Sequence, residues 1–308
     1  MRPLLTAVLL VCLTPFVRGA EPLAEVVPSD AKVEKLATDM KFTEGPCWFA
    51  DPAGGYLVFS DIPSNQLKKW SEREGLAVFR ENSHNSNGNA RDAQGRLITC
   101  EHQARRVTRT ESDGTITVLA DKYDGKPLNS PNDVVVKSDG TVWFTDPPYG
   151  LPRDARQAQA GQYVFRLDLE KNQLKPVATD FDRPNGLAFS PDERKLYIAD
   201  SGEKTRHIRV FDVNGDGTLS GGQVFCRIDN GVPDGIRVDA AGRVFSSARD
   251  GVHIFSPDGE LIGKIPLPES CANLAFGGKD GRELYMTASK SLYRIRLKTT
   301  GAVVKVEP

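Results

Sequence analysis

Asn87-Gly-Asn-Ala-Arg-Asp-Ala-Gln-Gly-Arg-Leu-Ile-Thr99 and Asp234-Gly-Ile-Arg-Val-Asp-Ala-Ala-Gly-Arg-Val-Phe-Ser246 align without a gap over their whole length. Gly88 falls on Gly235, Asp92 on Asp239, and Gly95-Arg96 on Gly242-Arg243. The phrase returns at Asn132-Asp-Val-Val-Val-Lys-Ser-Asp-Gly-Thr-Val-Trp-Phe-Thr145 and at Asn185-Gly-Leu-Ala-Phe-Ser-Pro-Asp-Glu-Arg-Lys-Leu-Tyr-Ile-Ala199. Looser copies begin at Glu44-Gly-Pro-Cys-Trp48 and Asn273-Leu-Ala-Phe276, which brings the count to six. Each copy is a short apolar segment, a turn rich in Asp and Gly, and a second apolar segment, which is the pattern of a β-hairpin. Further strand candidates follow most copies, at Tyr163 to Leu167, His207 to Phe211 and Val252 to Phe255. Four strands per repeat, spaced by roughly 40 to 50 residues, are the dimensions of propeller blades. No long stretch has helical periodicity, and Leu151 to Ala160 reads as a loop over one end. The expected fold is all-β: a six-bladed β-propeller with a metal site at its centre.

The bulk properties agree with a globular domain of this kind. The 308 residues are 39% hydrophobic and 26% charged, and 28 Gly with 20 Pro suit many short strands and turns. A net charge of −1 offers no electrostatic footprint for nucleic acid or an anionic membrane. Arg2, the apolar run from Leu4 to Val17 and the small residues Gly19-Ala20 read as a secretory signal peptide over residues 1–20. The propeller then occupies 21–308 as a single domain, exported to the periplasm or secreted, with no membrane attachment after cleavage. Beyond the signal remain Cys47, Cys100, Cys226 and Cys271, without a Cys-x-x-Cys pair. In an oxidising compartment they allow three complete pairings, and buried thiols fit them equally well.

Aligning the copies places one polar residue at the start of each: Glu44, Asn87, Asn132, Asn185, Asp234 and Asn273. In a propeller the innermost strand of every blade lines the central channel, so these six form a ring around the axis. Taken singly, such residues also serve to satisfy backbone N–H groups. Taken as a ring, they are six oxygen donors with no thiol and no imidazole. That chemistry suits one divalent cation, Ca²⁺ foremost, with Mg²⁺ or Mn²⁺ next and Zn²⁺ as a further alternative. Glu44 and Asp234 match its charge, and without it their mutual repulsion raises at least one pKa.

The motifs Thr43-Glu44-Gly45-Pro46, Cys100-Glu101-His102, Ser130-Pro131-Asn132-Asp133, Thr145-Asp146-Pro147-Pro148-Tyr149-Gly150, Pro184-Asn185-Gly186-Leu187-Ala188-Phe189-Ser190 and Pro233-Asp234-Gly235-Ile236 resemble the senescence-marker-protein/gluconolactonase (regucalcin-like) family of six-bladed propellers. The match covers essentially the whole chain after residue 20. The resemblance implies that Glu44, Asn132, Asn185 and Asp234 coordinate the metal, and that Asn87, His102 and Asn132 contact substrate, with Asp133 lining the pocket. Ser130 stands where the animal branch has Arg, so the bacterial gluconolactonase-like branch is the better fit.

The activity this implies is metal-dependent hydrolysis of a small-molecule sugar lactone. The cation polarises the carbonyl, and Asp234, or failing it Asp133, takes a proton from water. Of the four histidines only His102 falls in a family motif, and no Gly-x-Ser-x-Gly elbow supports a serine hydrolase. Asp212-Val-Asn-Gly-Asp-Gly217 imitates an EF-hand loop, but its twelfth position is Gln223 and strands flank it, so it reads as a hairpin. Two other classes share the same centre: a non-catalytic Ca²⁺-stabilised propeller that binds a sugar or protein, and a phosphotriesterase-like hydrolase.

Overall fold

The structure, a computed structural model, describes residues 22–302; the 1–20 segment expected as a signal peptide lies outside them. The strands form six four-stranded antiparallel sheets and one small hairpin, Lys122–Tyr123 with Lys126–Pro127. Taken in chain order as blades 1 to 6, their inner strands are Thr43–Phe49, Ser86–Arg91, Val134–Val136, Pro184–Phe189, Ile236–Val238 and Cys271–Gly277. Each inner strand touches the next, and the sixth touches the first, so the ring closes as a six-bladed propeller.

The strongest sequence repeat is a turn device. In blade 2, Asp92 Oδ1 accepts from the N–H groups of Gln94 and Arg96, while Arg96 Nε donates to Asp92 Oδ2 at 2.7 Å. Blade 5 repeats this with Asp239, Ala241 and Arg243, again with a 2.7 Å Arg–Asp contact. Gly95 and Gly242 take φ of +79° and +83°, the left-handed region in which a side chain is strained. The conserved spacing between the two copies is thus the local chemistry that closes the first hairpin of a blade.

The core lies between blades. Six buried apolar clusters occupy the six blade interfaces, such as Phe245, Val252 and Ile254 against Leu274, Leu284 and Met286 between blades 5 and 6. Second strands are therefore covered on both faces and read as continuous apolar runs; Val142–Asp146 and Val244–Ala248 are buried throughout. Fourth strands form the rim, and Gly75–Glu81 is largely exposed.

The repeat pattern gave no hint of how the circle is locked. Glu34–Ala37, upstream of the first copy, pairs with Ser291–Arg296 and supplies the outer strand of blade 6. Arg294 Nη2 holds Glu34 Oε2 at 2.7 Å across this join. The N-terminal segment so covers an edge that would otherwise template further pairing. All four described cysteines are free and buried, the reading of them as buried thiols. Residues 151–160 contain no helix, and 212–217 form the hairpin between the third and fourth strands of blade 4.

Candidate active site

The ring residues sit where each inner strand begins. Glu44, Asn87, Asn185 and Asn273 lie inside their strands at register shifts, while Asn132 and Asp234 stand just before theirs. A bulge re-aims a side chain off the ladder, which turns these groups toward the axis.

Glycine lets the ring close tightly. A Cβ added to Gly45 would lie 2.0 Å from the Asn87 carbonyl oxygen, one on Gly88 2.5 Å from that of Asn132, and one on Gly186 2.2 Å from that of Asp234. Gly235 presses on the Asn273 side chain in the same way, at 2.1 Å from Oδ1. Four ring residues, Asn87, Asn132, Asp234 and Asn273, are thereby packed on the glycine behind the preceding one. Blades 3 and 6 depart from the pattern, because Asp133 and Leu274 occupy the glycine position.

The six members do different work. Asn273 is consumed within the protein: its Oδ1 accepts from Leu274 N–H at 2.8 Å and its Nδ2 donates to Glu44 Oε2 at 3.0 Å. Glu44 Oε2 also accepts from Gly45 N–H at 2.7 Å, which leaves Oε1 for the channel. Asn87 Nδ2 lies 3.1 Å from His102 Nε2, and Asn87 Oδ1 is buried without a partner. Burial pushes the His102 imidazole down to about 4, so it is neutral and Nε2 accepts from the amide. The Asn132 amide has no hydrogen-bond partner among the described residues.

Burial, then the charges of Asp234 and Asp133, hold the Glu44 carboxyl well above its usual range. Burial and the Asp133 charge push Asp234 up to about 7. Glu44 and Asp133 are 3% and 0% exposed, whereas Asp234 keeps accessible surface. Two ring carboxylates, neutral amide oxygens, and no imidazole or thiolate form a donor set that fits a hard divalent cation. Glu44, Asn87, Asn132, Asn185 and Asp234 all have oxygens left over; with Asn87 tied to His102, the other four are the candidates to hold it.

Three further carboxylates hold the ring in place and escaped the sequence reading. Asp61 accepts from the N–H groups of Lys41 and Phe42 at 3.1 and 3.2 Å. Asp146 accepts from Asn129 and Ser130 at 2.7 Å each, and Asp200 from Asp182 and Arg183 at 3.3 and 3.1 Å. Each pair stands three and two residues before a candidate ligand: Glu44, Asn132 or Asn185. The signal was available, since all three acids end the second strand of their repeats.

Blade 3 shapes the mouth. Gln159 Nε2 ties the 147–162 loop to the carbonyls of Tyr123, Lys126 and Pro127 at 3.0–3.1 Å. Gly150 N–H donates to Ser130 Oγ at 2.7 Å and packs on His102. This seats Tyr149 beside Asn185 and Ser201, where burial and the Asp234 charge push its phenol up to about 12. The Arg183 guanidinium lies 6.0 Å from the centre of the Tyr149 ring.

A second acidic cluster lies toward the outside of blade 5. Ligand atoms of Asp229, Asp250 and His253 fall within 4.8 Å of one another. The Lys264 ammonium already bonds both carboxylates there, at 2.9 and 3.1 Å. A cation supplied by the chain occupies the position a metal would need.

Comparison with known proteins agrees with the fold. Residues 42–290 match the SMP-30/Gluconolactonase/LRE-like region. A gluconolactonase of Zymomonas mobilis is 33% identical over 91% of this chain and 85% of its own length. A pentonolactonase of Haloferax volcanii is 27% identical over 82% and 83%. The solved structure of a gluconolactonase from Xanthomonas campestris superposes with a TM-score of 0.84 at 38% identity, covering 89% of this chain and 92% of that one. The chain belongs to the SMP-30/gluconolactonase/LRE-like family.

Proposed function

We propose that the protein hydrolyses sugar lactones at the channel mouth, with a divalent cation held by Glu44, Asn132, Asn185 and Asp234. The observation that carries this reading is the pair of channel carboxylates, Glu44 buried and Asp234 partly accessible, set among amide oxygens in a family whose relatives include a gluconolactonase and a pentonolactonase. When bound, the cation polarises the lactone carbonyl and stabilises the oxyanion that develops on it.

The remaining work falls to the chain. Asp234 is the accessible carboxylate of the centre and takes the proton from the attacking water; Asp133, fully buried, is out of reach of that water. Asn87 and neutral His102 form a hydrogen-bonded pair that orients substrate hydroxyls, and Asn87 Oδ1 has capacity for one more donor. The amide of Asn132, next in the ring after Asn87, serves both substrate and cation. Tyr149 on its anchored loop bounds the mouth and limits the water around the reacting ester. Residues 1–20 direct export, which predicts a mature chain beginning at Glu21 by mass spectrometry.

The test is hydrolysis of glucono-δ-lactone and of five-carbon aldonolactones by purified protein. The protein is stripped of metal, then re-supplied with Ca²⁺, Mg²⁺, Mn²⁺ or Zn²⁺. Metal-dependent turnover supports the reading. Tight cation binding with no lactone turnover would replace it with the Ca²⁺-stabilised binding propeller, and turnover restricted to phosphotriesters with the phosphotriesterase-like hydrolase.

A further inference from the structure

Of the two residues that break the glycine pattern, Leu274 is apolar and Asp133 brings to the channel a charge that the lactonase reading does not use. Asp133 follows ring residue Asn132 where the other close-packed junctions have Gly45, Gly88, Gly186 and Gly235. Its carboxylate does not turn away into the hairpin. A Cβ on Gly88, in blade 2, would lie 2.7 Å from Asp133 Oδ1, and Asp133 Oδ2 lies 3.7 Å from Arg237 Nη1, on the inner strand of blade 5. Residues of two non-adjacent blades meet at one carboxylate, so it stands in the channel.

The contacts of this pair are few. Asp133 Oδ1 accepts from Val134 N–H at 2.9 Å, and Oδ2 is buried with no hydrogen bond. Arg237 Nη1 donates to the Ile236 carbonyl at 2.7 Å, and its side chain is 18% exposed. Arg91, the other inner-strand arginine in this part of the channel, lies against Phe49 and contacts none of the three carboxylates. Arg237 is therefore the cation set against one of them, Asp133, whose charge bears on the other two. Glu44, Asp234 and Asp133 bring three negative charges, and Arg237 cancels one of them. Two remain.

We propose that Arg237, paired with Asp133, sets the charge of the ion that the ring accepts, making the centre electroneutral with a divalent cation. The proposal rests on the ring being a cation site. Arg237 touches neither the ion nor the substrate and acts on the centre through its field. At an effective dielectric of about 20, a unit charge within about 10 Å of a divalent ion is worth at least about tenfold in the affinity for that ion.

The experiment is calorimetric titration of metal-stripped protein with Ca²⁺ and with Tb³⁺, ions of similar size and ligand preference that differ in charge. Arg237→Met is expected to raise the preference for Tb³⁺ over Ca²⁺ by about tenfold or more. Asp133→Asn is expected to weaken both ions, Tb³⁺ the more. Arg237→Lys keeps the charge and is expected to keep the wild-type ratio, a rescue that a purely packing role would not give. The double variant Asp133→Asn with Arg237→Met restores the charge of the wild-type centre. Its Ca²⁺ affinity is expected within about threefold of wild type. Should Arg237→Met not fold, the comparison of Asp133→Asn with the double variant isolates the same charge. A Tb³⁺/Ca²⁺ ratio within about twofold of wild type in Arg237→Met, or a double variant no tighter for Ca²⁺ than Asp133→Asn, overturns the proposal. Wild-type protein that binds neither ion overturns the cation site itself, a result these variants cannot produce.

Discussion

Two clusters in this molecule hold nearly the same residue types in opposite electrostatic states. At the rim, Asp229 and Asp250 share Lys264, and His253 lies between them with Nε2 2.7 Å from Asp250. The Lys264 hydrogen bond holds Asp229 below the usual carboxylate range. Burial works against Asp250, yet bonds from His253 and Lys264 bring it down to about 2. In the channel the order is reversed: Glu44, Asp234 and Asp133 are all pushed up, with one guanidinium, paired to Asp133 alone, to offset three acids. Acidic residues in a group do not by themselves make a cation site. What separates the two places is whether the chain has already supplied the cation, and how much water remains to screen the acids.

The largest expected effect breaks the channel and spares the rim. Asp234→Ala removes the accessible carboxylate and one ring charge together. Its kcat/KM on glucono-δ-lactone should fall by about a thousandfold or more, and Ca²⁺ affinity should fall with it. Asp250→Ala removes an acid of similar type and should leave kcat/KM within about twofold. Equal losses in the two variants would mean that the channel is not the reacting centre.

Next in size is the response of the metal-free protein to pH. Asp234 and Glu44 have higher pKa values folded than unfolded, so between about pH 4 and 7 the folded chain binds more protons. Its stability should therefore fall as pH rises through that window, with a melting temperature lower at pH 8 than at pH 5 by on the order of 5 °C. Saturating Ca²⁺ should remove most of the difference. A melting temperature that rises over the same window without metal would contradict the charge state inferred for the channel.

How much of this was legible in the sequence follows from the range of each interaction. The turn built on Asp92, Gly95 and Arg96 bonds within itself, so its copy at Asp239, Gly242 and Arg243 announced the fold. The ring was legible because a repeat turns equal offsets into equal positions. Division of labour inside the ring was not legible: Asn273 looks like Asn185 in the alignment, and only the bond to Glu44 spends it. The strand Glu34–Ala37 has no copy, and its partner lies at the far end of the chain. Tyr149 stood in a quoted motif, but a loop's aim depends on anchors such as Gln159 that no pattern encodes. Arg237 was the least readable, since a charged residue in a short strand looks solvent-facing until the axis brings Asp133 to it.

The two buried histidines extend the comparison to imidazoles at a smaller scale. His102 pairs with an amide and is neutral, whereas His253 lies between two carboxylates. His102→Ala should cost about tenfold in kcat/KM, chiefly through KM, because it removes a positioning group and spares the proton acceptor. Since the His102 imidazole is pushed down to about 4, any limb of the pH–rate profile between 5 and 8 should persist in the variant. Loss of such a limb would make His102 the titrating group and return it to a role in proton transfer.

The smallest expected effect comes from converting the rim into something closer to the channel. Lys264→Met withdraws the ammonium from Asp229 and Asp250 and leaves His253 beside two acids without their cation. These groups are partly exposed, with side-chain accessibilities of 65% for Asp229 and 31% for Asp250. Water therefore compensates most of the loss, and the destabilisation should be about 0.5–1 kcal/mol. Asp250 has a lower pKa folded than unfolded, so the stability it brings is present above about pH 4 and is lost as pH falls toward 2. The variant should accordingly show a shallower loss of stability over that acid range than wild type. If the absence of an internal cation is what makes a cation site, the variant should also bind Zn²⁺ weakly through His253, Asp229 and Asp250, detectable by calorimetry and absent in wild type. No gain of Zn²⁺ binding would mean that charge alone is insufficient. The burial and backbone bracing of the channel, through Asp61, Asp146 and Asp200, would then carry the remainder of the difference.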